Sequence, residues 1–315
     1  MTAQCVAGID VSKARLDVCV LPQRFSMAFG NEAEGIGNLV SRLKLHGVER
    51  IVLEATGGLE YPAARAMSDA GLAVSRVRPS RIRGFRSSLG RIAKTDALDA
   101  ELIARFALVM PDDAHSSVPS EKAQAIRSLS ARRRQLVDLL TQEKTRLRMA
   151  RDTLVLESLK VTITMLTSER KRIEAALAHA IASDRDASHR AALLRSIPGI
   201  GTVVSTVLLT DLPELGTLNR HQAASLAGVA PHPQRSGTSG RDHISGGRAC
   251  VRTALYMAAV TAIRRNIPFK AFYKRLVDAG KPRKLAIIAV ARKLVVLANA
   301  IVKTDAPWNP QRGLD

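Results

Sequence analysis

Short β-rich runs alternate with helical patterns over the first 110 residues, and this alternation restricts the N-terminal part of the chain to an α/β sheet. Strands are predicted at residues 6–10, 16–21, 26–29, 50–54 and 73–77. The first two are joined by a tight turn, so the sheet is expected to begin with an antiparallel hairpin. Helices are predicted at residues 38–46, 61–70 and 95–110.

The pattern changes after residues 110–120, a segment with two prolines, two aspartates and three serines that is interpreted as a linker. Apolar residues then recur with heptad spacing from Ile126 to Leu154, and two of the nine seam positions are charged. With a second helical pattern over residues 161–182, this spacing predicts a long helical hairpin with coiled-coil packing. The helical hairpin is consistent with two roles. One is a solvated spacer, and the other is an arm that contacts nucleic acid or a second protomer.

The C-terminal region is predicted to be mostly helical. Residues 193–209 hold Ile-Pro-Gly-Ile-Gly between two apolar helical patterns, a layout that resembles a helix-hairpin-helix element, whose turn amides can hold a phosphate. A Pro-Gly turn that only joins two helices is the alternative. A glycine- and serine-rich loop is expected at residues 235–247, followed by helices at residues 248–265 and 284–303.

The charge of the chain points to a polyanionic partner. Lys and Arg number 48 against 28 Asp and Glu, which gives a net charge of +20 and a pI near 10.8. Seven basic residues and no acid lie between Gly71 and Thr95, and seven more lie between His243 and Val277. Charge that serves only solubility would not need such clustering. Aromatic residues make up 3% of the chain, so phosphate contacts are expected to dominate over base stacking.

Cysteine usage and hydropathy indicate a cytoplasmic protein. The three cysteines are odd in number and lack C-x-x-C spacing, which argues against a disulfide framework and a structural zinc site. No N-terminal leader pattern is found. The most apolar late segment, residues 285–302, is interrupted by Arg292 and Lys293, so no membrane span is predicted.

Four acidic residues are placed where their side chains can converge. Asp10 ends the first predicted strand and Glu54 ends a later one, while Asp96 and Asp99 lie three apart at the start of a helix that Thr95 can cap. Each acid alone is an ordinary turn or cap residue. Together they resemble a site for hard divalent cations, because carboxylates packed closely would repel one another without metal, and two-metal phosphoryl transfer needs several of them.

These residues carry a resemblance to a known family. The segments GIDVSK, LEATG and KTDALDA resemble the RuvC-type ribonuclease H-like domain of the DEDD insertion-sequence transposases, which are bridge-RNA-guided recombinases. The segments SIPGIG, LAGVAP and SGTSGRDHISGGRACVRTALYMAA are similar to that family's second, transposase domain. The resemblance covers nearly the whole chain in the family's order. It implies an α/β plus α fold with a RuvC-like domain at 1–112, a linker and coiled coil at 113–187, a transposase domain at 188–305 and a tail at 306–315.

The resemblance also assigns candidate site residues. It implies that Asp10, Glu54, Asp96 and Asp99 hold Mg²⁺, two ions being expected and Mn²⁺ an alternative, and that Ser236 is the nucleophile. Ser239 and Ser245 also precede a glycine in this loop, and the sequence does not choose among the three. The basic residues expected to contact nucleic acid are Arg83, Arg86, Arg91, Lys94, Arg235, Arg241, Arg248 and Arg252, the last four as a clamp on the scissile phosphate.

The implied activity is exchange of strands between donor and target DNA through a phosphoserine link, with targets chosen by an element-encoded bridge RNA. Protomers are expected to form a dimer and then a tetramer, in the cytoplasm at the nucleoid. The alternative is a junction-resolving endonuclease that uses water as nucleophile at the same carboxylates. An actin-like or sugar-kinase ATPase would need D-x-G-x-[ST] phosphate loops, which the sequence lacks. A non-catalytic nucleic-acid binder is a further alternative.

Overall fold

Residues 4–89, 96–109, 119–236 and 239–309 are described by a computed structural model. The chain divides into two units, Met1–Pro119 and Ser120–Asp315. The predicted linker at residues 110–120 lies almost entirely outside the described residues. The division into four parts at residues 112, 187 and 305 remains a prediction.

The N-terminal unit is the α/β sheet predicted from the sequence. Its elements are β1 (Val6–Val11), β2 (Arg15–Leu21), β3 (Phe25–Gly30), α1 (Ala33–Leu45), β4 (Arg50–Glu54), α2 (Tyr61–Asp69), β5 (Val74–Val77), α3 (Pro79–Ser88) and α4 (Asp96–Val109). The five strands lie in the order β3-β2-β1-β4-β5. β1, β2 and β3 are antiparallel neighbours, and β1, β4 and β5 are parallel neighbours. The initial hairpin is confirmed, whereas α3 was not predicted.

The two faces of the sheet belong to two different cores. One core joins Ile9 and Leu53 to apolar residues of α1 and α2, such as Leu39 and Met67. The other joins Val52 and further strand residues to apolar residues of α3 and α4. Because side chains alternate between faces along a strand, the residues next to Ile9 and Leu53 project towards the α4 side.

Gly8 allows α4 to lie directly on the backbone of β1. A Cβ atom at Gly8 would stand 2.1 Å from the backbone nitrogen of Ala104 and 2.4 Å from the carbonyl oxygen of Ala100. Any other residue at this position therefore forces the helix away from the strand. The close approach fixes the height of the first turns of α4 above the strand.

The C-terminal unit begins with two long helices, α5 (Glu121–Met149) and α6 (Thr153–Ala182), which form the predicted helical hairpin. The predicted seam extends too far, because the helix ends at Met149 and Asp152 caps a new one by accepting the backbone N–H of Val155 at 3.0 Å. Leu154 is exposed on the second helix. Coiled-coil packing remains a prediction.

The remaining elements are helices and two paired strands, and the helices share an apolar core. They are α7 (Arg185–Arg195), α8 (Thr202–Asp211), α9 (Arg220–Leu226), β6 (Pro231–Ser236), β7 (Ser239–Ile244), α10 (Ala249–Arg265), α11 (Ile267–Asp278) and α12 (Arg283–Thr304). By length and composition α12 could cross a bilayer. Its residues Val290, Leu294 and Val295 are buried in this core, as in a core helix of a folded unit.

The expectation of a glycine- and serine-rich loop at residues 235–247 was wrong. β6 and β7 pair antiparallel over residues 231–236 and 239–244, with Pro231 opposite Ile244 and Ser236 opposite Ser239. This two-stranded hairpin is called the serine ribbon below. The rest of the described C-terminal region is mostly helical, as predicted.

Candidate active site

Asp10 and Glu54 project from neighbouring parallel strands on the same side of the sheet. Ile9 of β1 lies opposite Leu53 of β4, and each acid is the next residue along its strand. Since Ile9 and Leu53 both face the α1 and α2 core, Asp10 and Glu54 face the side on which α4 packs. The convergence of Asp10 and Glu54 predicted from the sequence thus follows from the parallel pairing of β1 with β4.

The helix α4 brings Asp99 to these two carboxylates. Asp99 precedes Ala100, one of the residues that lie against Gly8. Its side chain is buried and accepts a hydrogen bond from the guanidinium of Arg86 on α3. Asp96 is the first residue of α4, but its side chain lies outside the described residues. The structure thus places three of the four predicted carboxylates at one site.

The electrostatics of Glu54 show that negative charge accumulates here. Burial raises the pKa of Glu54, and the neighbouring charges of Asp10 and Asp99 raise it further. The positive charges of Arg86 and Arg83 lower this pKa, but by less than burial and the two carboxylates raise it. A cation bound between the carboxylates would relieve this repulsion.

The donor set fits a hard divalent cation, since it consists of carboxylate oxygens. Among the described side chains, no three Asp, Glu, His or Cys groups are already arranged as a metal cage. Asp99 is held by Arg86. A metal that takes Asp99 as a ligand would therefore either displace Arg86 from this carboxylate or share the carboxylate with Arg86.

The helix α3 carries basic residues beside the carboxylates. It is anchored on α4 by the buried Ile82 and by Phe85, whose ring stands edge-on to that of Phe106 with centroids 5.6 Å apart. Arg83 is exposed and Arg86 is half-buried on Asp99. Arg91 and Lys94, two further predicted nucleic-acid contacts, lie outside the described residues.

Two residues that hold the loops around the acids were missed by sequence reasoning. The buried carboxylate of Glu60 accepts the backbone N–H groups of Thr56 at 3.1 Å and Gly58 at 2.9 Å, and pairs with Arg76 at 3.1 Å. These contacts hold the turn that directly follows Glu54. Asn31 donates to the carbonyl oxygens of Ser12 at 2.9 Å and Leu59 at 3.3 Å, which ties the turn after Asp10 to the turn after Glu54. Asn31 could not be recognised from the sequence because Ser12 and Leu59 are distant in the chain, whereas the short spacing of Glu60 from Thr56 and Gly58 was a local signal that was overlooked.

The three candidate serines occupy different parts of the serine ribbon. Ser236 and Ser239 form the last pair of the ladder and flank residues 237–238, so both lie at the tip. Ser245 follows β7 and lies exposed at the base. Arg235 and Arg241 lie within the two strands near the tip, and their side chains, like those of Ser236 and Ser239, are outside the described part of the structure.

Arg248 and Arg252, the other two predicted clamp residues, are engaged with protein groups. Arg248 forms a two-pronged pair with Glu214, at 2.6 and 2.5 Å, and donates to the carbonyl oxygen of Asp211 at 2.8 Å. Burial alone would raise the pKa of Glu214, but Arg248 outweighs it and leaves this pKa below its ordinary value. Arg252 donates to the carbonyl oxygens of Gly246 at 2.9 Å and Gly228 at 3.4 Å. Their role as phosphate contacts remains a prediction.

The Ile-Pro-Gly-Ile-Gly turn joins α7 to α8, as predicted. Gly199 has a φ of +91° and lies against α10, where a Cβ would stand 2.4 Å from the carbonyl oxygen of Ala258 and 2.9 Å from the backbone nitrogen of Ala262. This glycine therefore serves the packing of the turn on the core. A phosphate-binding role for the turn remains a prediction.

The family models give the class of this protein, which is that of the transposases: a model described as a transposase matches residues 7–154, the part of the chain that holds the carboxylates. A second model, described as the transposase IS116/IS110/IS902 family, matches residues 191–274. The chain belongs to this family of transposases.

Several individual proteins are similar to this chain. The pilin gene-inverting protein of Moraxella bovis is 28% identical, over 96% of this chain and 97% of its own. The IS900 uncharacterized 42 kDa protein of Mycobacterium paratuberculosis is 28% identical over 42% of this chain and 34% of its own. Among solved structures, RuvC of T. thermophilus in complex with a Holliday junction substrate aligns with 32% of this chain and 90% of its own, at 19% identity and a TM-score of 0.25.

Proposed function

We propose that this transposase cleaves and rejoins donor and target DNA through a covalent link to Ser236, with Asp10, Glu54, Asp96 and Asp99 holding divalent cations, Mg²⁺ or Mn²⁺, in a RuvC-like ribonuclease H domain. The observation that carries the proposal is the position of Asp10, Glu54 and Asp99 on one side of the sheet, where burial raises the pKa of Glu54 and the charges of Asp10 and Asp99 raise it further. The strand order β3-β2-β1-β4-β5 supports the proposed domain type.

Two cations, when bound, would neutralise charge at the attacking and leaving oxygens of a phosphodiester. The chain supplies the rest. The carboxylates hold the cations, and Arg83 on the exposed side of α3 binds the DNA backbone next to them. Asn31 and Glu60 keep the turns that follow Asp10 and Glu54 in place.

In the proposed reaction the hydroxyl oxygen of Ser236 forms a bond to phosphorus while one phosphorus–oxygen bond to a sugar breaks, and the sugar oxygen leaves as a hydroxyl. The phosphoserine ester retains the energy of the phosphodiester. A hydroxyl of another strand reverses the step and reseals the backbone, so no nucleotide triphosphate is needed. Ser236 and Ser239 are favoured over Ser245 because they lie at the projecting tip of the ribbon.

Peptide mapping of a trapped protein–DNA adduct tests this chemistry. Trypsin cleaves after Arg235, Arg241 and Arg248, so Ser236 and Ser239 fall in one peptide and Ser245 in the next. We expect the DNA remnant on the first peptide, and on Ser236 when that peptide is fragmented. Cleavage of DNA by the wild-type protein without any adduct would instead identify water as the nucleophile and the enzyme as a structure-selective endonuclease.

We also propose that an element-encoded bridge RNA selects the targets and that protomers assemble as a dimer and then a tetramer. The net charge of +20 supports a large polyanionic partner. Sequencing of the RNA that co-purifies with the protein is expected to give one discrete species from the flank of the element. A random mixture of cellular RNA would contradict guidance by RNA.

A further inference from the structure

Two glycines meet at the base of the serine ribbon. Gly228 lies three residues before β6 and Gly247 three residues after β7. A Cβ on Gly247 would stand 2.3 Å from the backbone nitrogen of Gly228 and 2.4 Å from its Cα. A Cβ on Gly228 would stand 2.5 Å from Nη1 of Arg252 and 2.8 Å from the carbonyl oxygen of Gly246. The two chain segments can touch here only because neither residue has a side chain.

Arg252 of α10 locks this contact. Its Nη1 donates to the carbonyl oxygen of Gly246 at 2.9 Å and to that of Gly228 at 3.4 Å, so one guanidinium nitrogen serves the segments on both sides of the ribbon. Gly228, Gly247 and Arg252 are called the glycine clasp below. A lysine at 252 would retain a positive charge, but its flexible, strongly hydrated ammonium would lack the rigid plane that fixes the direction of the guanidinium N–H groups.

Backbone hydrogen bonds tie the clasp to the body of the unit. The N–H groups of Val229 and Ala230 donate to the carbonyl oxygen of Ala224 at 3.0 and 3.1 Å, which attaches the entry of the ribbon to α9. The N–H of Arg248 donates to the carbonyl oxygen of Leu226 at 2.8 Å, which attaches the exit of the ribbon to the same helix. The base of the ribbon is therefore fixed on both sides.

The length of the ribbon makes the position of its tip sensitive to how its base is held. Each strand has six residues, which at ~3.3 Å per residue gives a ribbon ~20 Å long. A rotation of about 10° at its base would move the tip by about 3 Å over that length. An isolated two-stranded hairpin is marginally stable in water, so its direction depends on how its base is held.

We propose that the glycine clasp sets the direction of the serine ribbon, and that Arg252 is a positioning residue for Ser236 that does not bind the scissile phosphate. This inference rests on the proposed function, since it gives Ser236 the role of nucleophile. A misplacement of about 1 Å at a reacting group can lower a rate by about 10²-fold. Loosening the clasp should therefore slow formation of the adduct by about that factor and leave DNA affinity unchanged.

The test compares Gly247→Ala, Gly246→Ala, Arg252→Lys and Arg252→Gln in the full-length protein with its RNA and a DNA substrate. Gly246 and Gly247 are neighbours with φ values of +64° and +62°, so alanine is similarly strained at both. A Cβ at Gly246 meets nothing within 4 Å, whereas one at Gly247 meets Gly228. The single-turnover rate of adduct formation and the Kd for DNA at two salt concentrations are measured for each variant.

We expect an adduct rate about 10²-fold lower in Gly247→Ala than in Gly246→Ala, with the same Kd and salt dependence. Arg252→Lys should also lose rate at an unchanged Kd, and it provides the test if Gly247→Ala does not fold. Equal adduct rates in the two glycine variants, together with a wild-type adduct rate in Arg252→Lys, would overturn the proposed role of the glycine clasp. The serine chemistry would remain intact. Weaker DNA binding by Arg252→Gln, with a slope of log K against log salt concentration that is smaller by about one, would also overturn the clasp. It would show that Arg252 contacts a phosphate. A wild-type protein that forms no adduct would refute the proposed function itself.

Discussion

Replacing Glu54 with glutamine is expected to abolish DNA cleavage and, without divalent cations, to make the N-terminal unit more stable at neutral pH. Burial and the charges of Asp10 and Asp99 raise the pKa of Glu54 above its ordinary value of 4.5. Between the two values the folded protein binds more protons than the unfolded chain, so the free energy of unfolding falls as pH rises through this window. Above it the full cost of the buried charge is present, and glutamine removes that cost.

The loss of activity should be at least about 10³-fold, the equivalent of about 4 kcal/mol of transition-state stabilisation by the bound cations. Thermal unfolding in the presence of a chelator, measured from pH 4 to pH 8, tests the stability effect. The difference between Glu54→Gln and wild type should vanish at the acid end and grow as pH rises. Glu49→Gln, at an exposed acid just before β4, is the matched control and should change neither property. A Glu54→Gln protein that unfolds more easily than wild type at pH 7 would contradict the account of charge repulsion.

Replacing Gly8 with valine is expected to cost several kcal/mol of stability and all measurable cleavage. Valine is a better strand former than glycine, so propensity alone predicts a more stable protein. The Cβ, however, would stand 2.1 Å from the backbone of α4, a distance that the helix can relieve only by moving away. Asp99 would move with it. An overpacked core of this kind typically loses 1–3 kcal/mol, and more where backbone atoms are involved.

Two companion variants separate folding from chemistry. Gly8→Ala introduces the same Cβ without the branch, so it should fold with a lower Tm and reduced cleavage. Gly37→Ala, in α1, meets nothing within 4 Å and should gain roughly 0.5–1 kcal/mol, as expected for alanine in a helix interior. Thermal unfolding and cleavage are compared across the set. An unchanged Tm in Gly8→Val would show that α4 does not rest on β1.

The N-terminal sheet could be predicted because its strands either alternate apolar and polar residues or are continuously apolar. These segments are also too short for a typical helix. The bounds of Arg50–Glu54 agree residue for residue. The helix α3 could not be predicted, since it lies inside a long basic run and only Ile82 is buried on it. The charge pattern dominated the interpretation of that segment, although two apolar residues are enough to attach one helix to another.

The serine ribbon and the break between α5 and α6 were missed for different reasons. The strands PHPQRS and SGRDHI lack the alternation of apolar and polar residues that marks a strand over a core, so the sequence predicts a loop at residues 235–247 and no strand before it. The heptad count continued past Met149 because Leu154 falls on the same spacing in the next helix. Asp152, a good N-cap residue, was the signal for the new helix.

For the site residues, the sequence predicted which strand or helix carries each residue, but not which residues its side chain pairs with. Asp10 and Glu54 could be placed because parallel neighbours end at one edge of a sheet. The pairing of Arg248 with Glu214 joins residues 34 apart, and that of Arg86 with Asp99 joins residues 13 apart across two helices. A single sequence holds no record of such pairs, so it predicts phosphate contacts for these arginines without showing that they also pair with carboxylates of the protein.

The two-sided core of the N-terminal unit makes stability and chemistry separately adjustable. Residues such as Leu39 and Met67 fill the face covered by α1 and α2, away from the carboxylates. Repacking that face should raise thermal tolerance without displacing Asp10, Glu54 or Asp99. Substitutions of core residues that pack against α4 would change stability and chemistry together, because this helix also carries Asp99. An engineering programme aimed at a more robust recombinase should therefore begin on the α1 and α2 side.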